Sequence, residues 1–143
     1  MREHMGLYRG KRVDNGEWIE GYYVRLFDGK GDVSHRIYSG YAETDCGEFY
    51  PDWFEVDPDT IGECTGLKDK KNGKLIFEGD IFDWRYAGVK DYRYVVAYDP
   101  EMASFVGDRG YGFVTLNDID VEIIGNINDN PELMKGAGDD ATD

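Results

Sequence analysis

The sequence is poor in cysteine, proline and histidine, short of positive charge, and without a long apolar run. Each shortage excludes something. Two cysteines, Cys46 and Cys64, in 143 residues cannot form the framework of a disulfide-stapled scaffold. Neither lies in a C-x-x-C pair or near a His-Cys cluster, so no zinc ribbon or finger is encoded. His4 and His35 are the only histidines. His35 has Ser34 and Ser39 nearby, but no nucleophile-elbow pattern accompanies it, and a lone strand histidine reads as structural. No stretch approaches the roughly 20 apolar residues that span a bilayer. The opening "MREHMGLYRGKR" is polar and basic, unlike a secretory leader. The expectation is a cytoplasmic protein with two free thiols. Lys and Arg number 16 against 30 Asp and Glu, a formal charge of −14. Such a surface repels phosphate backbones and anionic lipid, which disfavours nucleic acid and membrane as partners.

What is present points to strands. Gly 19, Tyr 11, Phe 7 and Trp 3, against Pro 4, suit short strands joined by tight turns. The runs 6–13, 17–27, 33–43 and 48–56 read as strands. Asn15-Gly16 between the first two predicts a type I′ hairpin turn, and "DGKGD" at 28–32 predicts a second turn. Pro51 makes the fourth run an edge strand or a break rather than a central strand. "DPDTIGE" at 57–63 marks a boundary. Beyond it, the runs 74–84, 92–99, 103–108, 111–116 and 121–127 predict a small SH3-like barrel. "NDNPELM" predicts one helical turn, with Asn130 as its N-cap and Pro131 in the first turn. The organisation expected is therefore mainly β. Residues 1–57 form N-terminal twisted β-hairpins, 58–134 a C-terminal SH3-like barrel closed by one short helical turn, and 135–143 a disordered acidic tail.

Three groups of residues invite a functional reading. Glu78 and Asp80 flank Gly79, and on a continuous strand they would share a face, as an acid–base pair or as ligands to a hard cation. A glycine there breaks the strand, and an Asp after Gly is a common turn device, so a corner explains them better. Asp118, Asp120 and Glu122 alternate with Ile119, Val121 and Ile123, which is the pattern of a strand with one wet face. The calcium-loop signature is missing there, and Lys30 spoils it at 28–32. Third, Tyr92, Tyr94, Phe105, Tyr111 and Phe113 could form a stacking platform for bases, which the acidic charge disfavours, or a groove for a peptide, although core packing explains most of the pattern. "GDRGYG" at 107–112 has no helix behind it to hold a phosphate.

The blocks "YRGKRVDNGEWIEG" (8–21), "VDPDTIGECTGLKDKKNGKLIFEGDIF" (56–82) and "VEIIGNINDNPEL" (121–133) resemble, in this order, the YopX-like proteins of bacteriophages and prophages. The resemblance implies a β-rich fold with a C-terminal SH3-like barrel, a phage or prophage origin and a bacterial cytoplasm. It carries over no activity, cofactor or catalytic residue. Two departures stand out. Cys64 occupies a position where a large apolar residue is expected, and the Asp-Lys-Asn-Gly turn is lengthened to Asp69-Lys70-Lys71-Asn72-Gly73. The leading expectation is a non-enzymatic accessory protein that binds a host or phage protein through Tyr92, Tyr94, Phe105, Tyr111 and Phe113, with Glu78 as the carboxylate to examine first. No cofactor or metal is expected. Two alternatives are a Mg²⁺-dependent hydrolase or nuclease built on Glu78, Asp80 or the 118–122 acids, and an acidic mimic of nucleic acid. Many strand edges with many aromatics also predict self-association.

Overall fold

The computed structural model describes residues 4, 6–86, 90–110, 112–116 and 121–139. It divides into two compact units, residues 1–64 and 65–143. The division falls past the Asp-Pro turn at 57–58, inside a strand. The first unit is an antiparallel meander of β1 (Leu7–Lys11), β2 (Trp18–Phe27), β3 (Val33–Glu43) and β4 (Phe49–Glu55). β5 (Gly62–Lys68) begins there and pairs on the free side of β1, giving the order β4-β3-β2-β1-β5. Pro51 sits on β4, at the sheet's edge, where its missing N–H costs no ladder bond.

Turn chemistry sets the register. The β1–β2 turn is not the expected two-residue type I′ turn. The Arg12 amide donates to the Glu17 carbonyl and the Gly16 amide donates back to Arg12 O. Four residues thus form the loop, and only its last, Gly16, takes a positive φ of +73°. In the β2–β3 turn, Asp28 Oδ1 accepts the amides of Lys30 and Asp32. These bonds hold the Asp28 carboxyl below its usual pKa, against burial. After β4, Pro58–Thr60 form one 3₁₀ turn capped by Asp57. The buried Thr60 hydroxyl donates to Asp57 O and accepts the Lys11 amide, fastening the turn to β1. Ile37 and Val56 are fully buried beneath the sheet. Gly10 lets both approach the backbone, since a Cβ there would lie 3.2 Å from each.

The second unit carries β6 (Leu75–Phe77), β7 (Asp80–Tyr86), β8 (Lys90–Asp99), β9 (Ser104–Asp108), β10 (Phe113–Thr115), β11 (Ile123–Asn126) and α1 (Glu132–Asp139). β6 is the neighbour of β5, and the rest form an antiparallel sheet of order β10-β9-β8-β7-β11. Its core is Ile76, Phe82, Tyr94, Val96, Leu116 and Val121. Phe82 is fully buried and stacks on Tyr94 at 5.5 Å; burying one such ring contributes about 1.5–3 kcal/mol.

The sheet is open. Among the described residues no ladder joins β10 to β11, so the closure expected of an SH3-like barrel is not seen. α1 runs for two turns instead of one, into the segment expected to be a tail. Nor does the Asn130 side chain cap it: Oδ1 accepts the Asn126 amide, while the Asn130 carbonyl receives the Leu133 amide. Asn126 Oδ1 in turn accepts the amides of Asn128 and Asp129. The "GNINDN" run is thus a self-bonded turn that aims α1 back at β11. Gly125 makes room for it, because a Cβ there would come within 2.9 Å of Leu133 Cδ1.

Candidate functional site

The corner at Glu78-Gly79-Asp80 separates the two carboxylates. Gly79 takes a φ of +92°, which ends β6 and starts β7 in a new direction. Its amide donates to Val96 O on β8 and its carbonyl accepts the Ile127 amide, so the corner ties β8 to the chain leaving β11. Asp80 is buried, and its Oδ2 accepts the Phe77 amide at 2.8 Å. That carboxylate closes the turn, and half-buried Glu78 precedes the glycine. The pair has the geometry of a corner and not of an acid–base couple.

Of the acids at 118–122, the structure describes Glu122. Glu122 is exposed and meets Lys71 Nζ at 3.0 Å, the wet-face role expected of it, while Val121 enters the core. Asp118 and Asp120 lie outside the described residues. Among the described residues no three His, Cys, Asp or Glu side chains come together to hold a metal ion. Cys46 is exposed, Cys64 is buried, and no disulfide joins them. His35 stacks on Tyr23 and shares a 2.7 Å hydrogen bond between its Nδ1 and the Tyr23 hydroxyl.

The carboxylate that sequence reading passed over is Asp69, which is 1% exposed. Oδ1 accepts the Lys71 and Asn72 amides; Oδ2 accepts the Ile123 amide and the Asn72 side-chain amide. Burial pushes its pKa up, but these bonds outweigh burial and hold the carboxyl below the usual range. Its signal was available, since an Asp opening an Asn-Gly turn is a known turn device. The bond to Ile123, 54 residues away, was not.

Strand alternation divides the proposed aromatic groove. Tyr92 and Tyr94 share a face of β8, and Tyr98 on that face pairs with Phe105 of β9. This is the core face: Tyr94 is 2% exposed, and Tyr92 and Phe105 pack against the cluster. Tyr94 is therefore no part of a surface groove. The Arg109 guanidinium lies 4.1 Å over the Tyr92 ring. Phe113 pairs with Asp108 and so belongs to the opposite face, where it is 53% exposed. Tyr111 lies outside the described residues.

A concavity of about 530 Å³ does open beside Phe113. Ala97 and Val106, cross-strand partners on β8 and β9, line its base. Phe113 supplies an aromatic wall, while Tyr98 borders the concavity from β8 with its ring on the other face, in edge contact with Phe105. Asp99 and Asp108 supply charge. Each uses Oδ1 to hold a neighbouring turn: Asp99 accepts the Glu101 amide, Asp108 the Gly110 amide. The carboxylates are thereby fixed in the concavity that Phe113 borders.

The sequence profile of the family described as YopX protein matches residues 7–135. The chain belongs to the YopX family. No curated protein and no solved structure matches it. In this YopX family member Asn72-Gly73 and Gly79-Asp80 turn the strands, and Gly125 through Asn130 seats the helix.

Proposed function

We propose that this YopX family member works by binding, and that its second unit holds a basic segment of a partner protein in the Tyr98–Phe113 concavity. One observation carries the reading: the exposed Phe113 ring shares a concavity with two fixed carboxylates, Asp99 and Asp108, on a molecule of net charge −14. A Lys or Arg side chain lays its aliphatic stem along such a ring, places its cation over the ring face, and meets the carboxylates. The volume is within the usual range for a ligand site, about 300–1,000 Å³. The overall charge steers a basic partner towards it. An SH3-like kinship of the second unit belongs to this reading, because small barrels of that kind take peptides on aromatic-lined surfaces. So do a phage or prophage origin, an accessory role and a site of action in the bacterial cytoplasm.

The test is a titration with a Lys/Arg-rich peptide and with its Asp/Glu-rich counterpart, followed by amide chemical shifts. The expected result is saturable binding of the basic peptide alone, with shifts at β8, β9 and β10. Asp99→Asn/Asp108→Asn and Phe113→Ala should each weaken it at least tenfold. Equal binding of the acidic peptide, or undiminished binding by both variants, overturns the reading.

A further inference from the structure

The first sheet presents a second surface, independent of the concavity. Alternation and register place Tyr22 on β2, Tyr38 on β3 and Trp53 on β4 in one row across three adjacent strands. Tyr22 is 61% exposed and Trp53 is 40% exposed. Tyr38 leans on Trp53 with ring centroids 6.4 Å apart. Leu26 shares this face two pairs further along β2 and is also exposed. The opposite face buries Ile37, whose neighbours are Tyr23 and Phe54. The sheet thus has a buried side and an aromatic side open to water.

The cations of this face sit on its tryptophans. The Arg36 guanidinium lies 3.7 Å over the Trp53 ring. Arg9 and Lys11 lie 4.8 and 5.6 Å over Trp18. Those cations already cover ring faces that a base or a sugar would need for stacking. Trp, Tyr and Arg in a row are instead the residues that dominate the energetics of protein–protein contacts.

We infer that this face is an interface between two copies of the chain. Charge selects the occupant. Two molecules of −14 each repel, and they can meet only where that charge is locally offset. By register this face carries Arg9, Lys11 and Arg36 against Glu20, Glu43 and Glu55, three cations against three acids, in a chain where acids outnumber bases 30 to 16. A mixed, nearly neutral patch is self-complementary, as a two-fold interface requires. Size permits it. Strands of 5, 10, 11 and 7 residues, at about 3.4 Å per residue and about 4.8 Å apart, offer roughly 540 Å², towards the lower end of the area per partner of a specific interface.

Sedimentation of the full chain from about 1 to about 100 μM tests the inference. The expected result is a mass of twice 16.3 kDa at the upper end, with association tightening as salt screens the repulsion between copies. Tyr22→Glu and the milder Trp53→Ala should each weaken association at least tenfold while retaining the wild-type circular dichroism. Phe27→Glu, at an equally exposed position on the opposite face of β2, should leave it intact. A wild-type protein that stays monomeric throughout, including one that instead binds an acidic protein here, overturns the inference. So does a dimer broken by Phe27→Glu and spared by the other two changes. Neither result bears on the concavity of the second unit.

Discussion

At the scale of single residues, a buried carboxylate and a missing side chain hold the second unit together. Asp69 satisfies three backbone amides and one side-chain amide. Its folded pKa lies below the ordinary value. The folded state therefore binds fewer protons here than the unfolded chain does in the acid range. Its stabilising contribution is complete above about pH 4 and drains away as pH falls through the depressed value. Asp69→Asn should cost about 1–3 kcal/mol at neutral pH. Urea unfolding at pH 7 and pH 3 should show that penalty shrinking in acid; a penalty independent of pH would assign Asp69 a purely steric role. Gly107 acts by absence. A Cβ there would lie 2.5 Å from Phe82 Cζ and 3.1 Å from Tyr94 Cβ, and neither buried ring can retreat. Gly107→Ala should destabilise by about 1–3 kcal/mol, read as a lower urea midpoint at unchanged slope. The glycine was plain in the sequence, but the ring that fills its space comes from β7, two strands away.

At the scale of elements, one hairpin design recurs. Loops 13–16, 70–73 and 100–103 each span four residues, between Arg12 and Glu17, Asp69 and Lys74, and Asp99 and Ser104. The last loop residue has a positive φ each time: Gly16 at +73°, Gly73 at +69°, Ala103 at +50°. Asp69 and Asp99 both use Oδ1 to accept the amides two and three residues on. Ala103 is the odd member, since a side chain in the left-handed region costs about 1–2 kcal/mol. Ala103→Gly should raise stability by up to about 1 kcal/mol and Gly73→Ala should lower it similarly, both measured by thermal unfolding. The strands themselves were legible, because alternation and turn residues are local. The turn type was not: Asn-Gly signals a bend, but the bonds closing it decide whether two residues or four lie within.

At the scale of the whole molecule, charge separates the two proposed associations. Capture of a basic peptide by Asp99 and Asp108 joins opposite charges. Pairing of two copies through Tyr22, Tyr38 and Trp53 works against like charges. Raising salt from about 0.05 to about 0.5 M shortens the screening length severalfold, so it should weaken the first and strengthen the second. Calorimetry and sedimentation on one preparation measure both; two affinities that move together would mean that one contact is misassigned. The net charge was countable from the start. Its local exception, a face bearing Arg9, Lys11 and Arg36, appears only once β1 to β4 are in register.

The sequence by itself determined the family, the mainly β class and the corner at Gly79, because each rests on short-range patterns: alternation, turn residues and the left-handed freedom of glycine. Only the tertiary structure decided which aromatic rings meet water. Tyr94 and Phe113 look alike in the chain. A cross-strand partner and the side of the sheet that packs onto Phe82 send one into the core and leave the other exposed beside Asp108. Sheet closure was decided there too, since it depends on whether the distant edges β10 and β11 meet, and no local pattern records that.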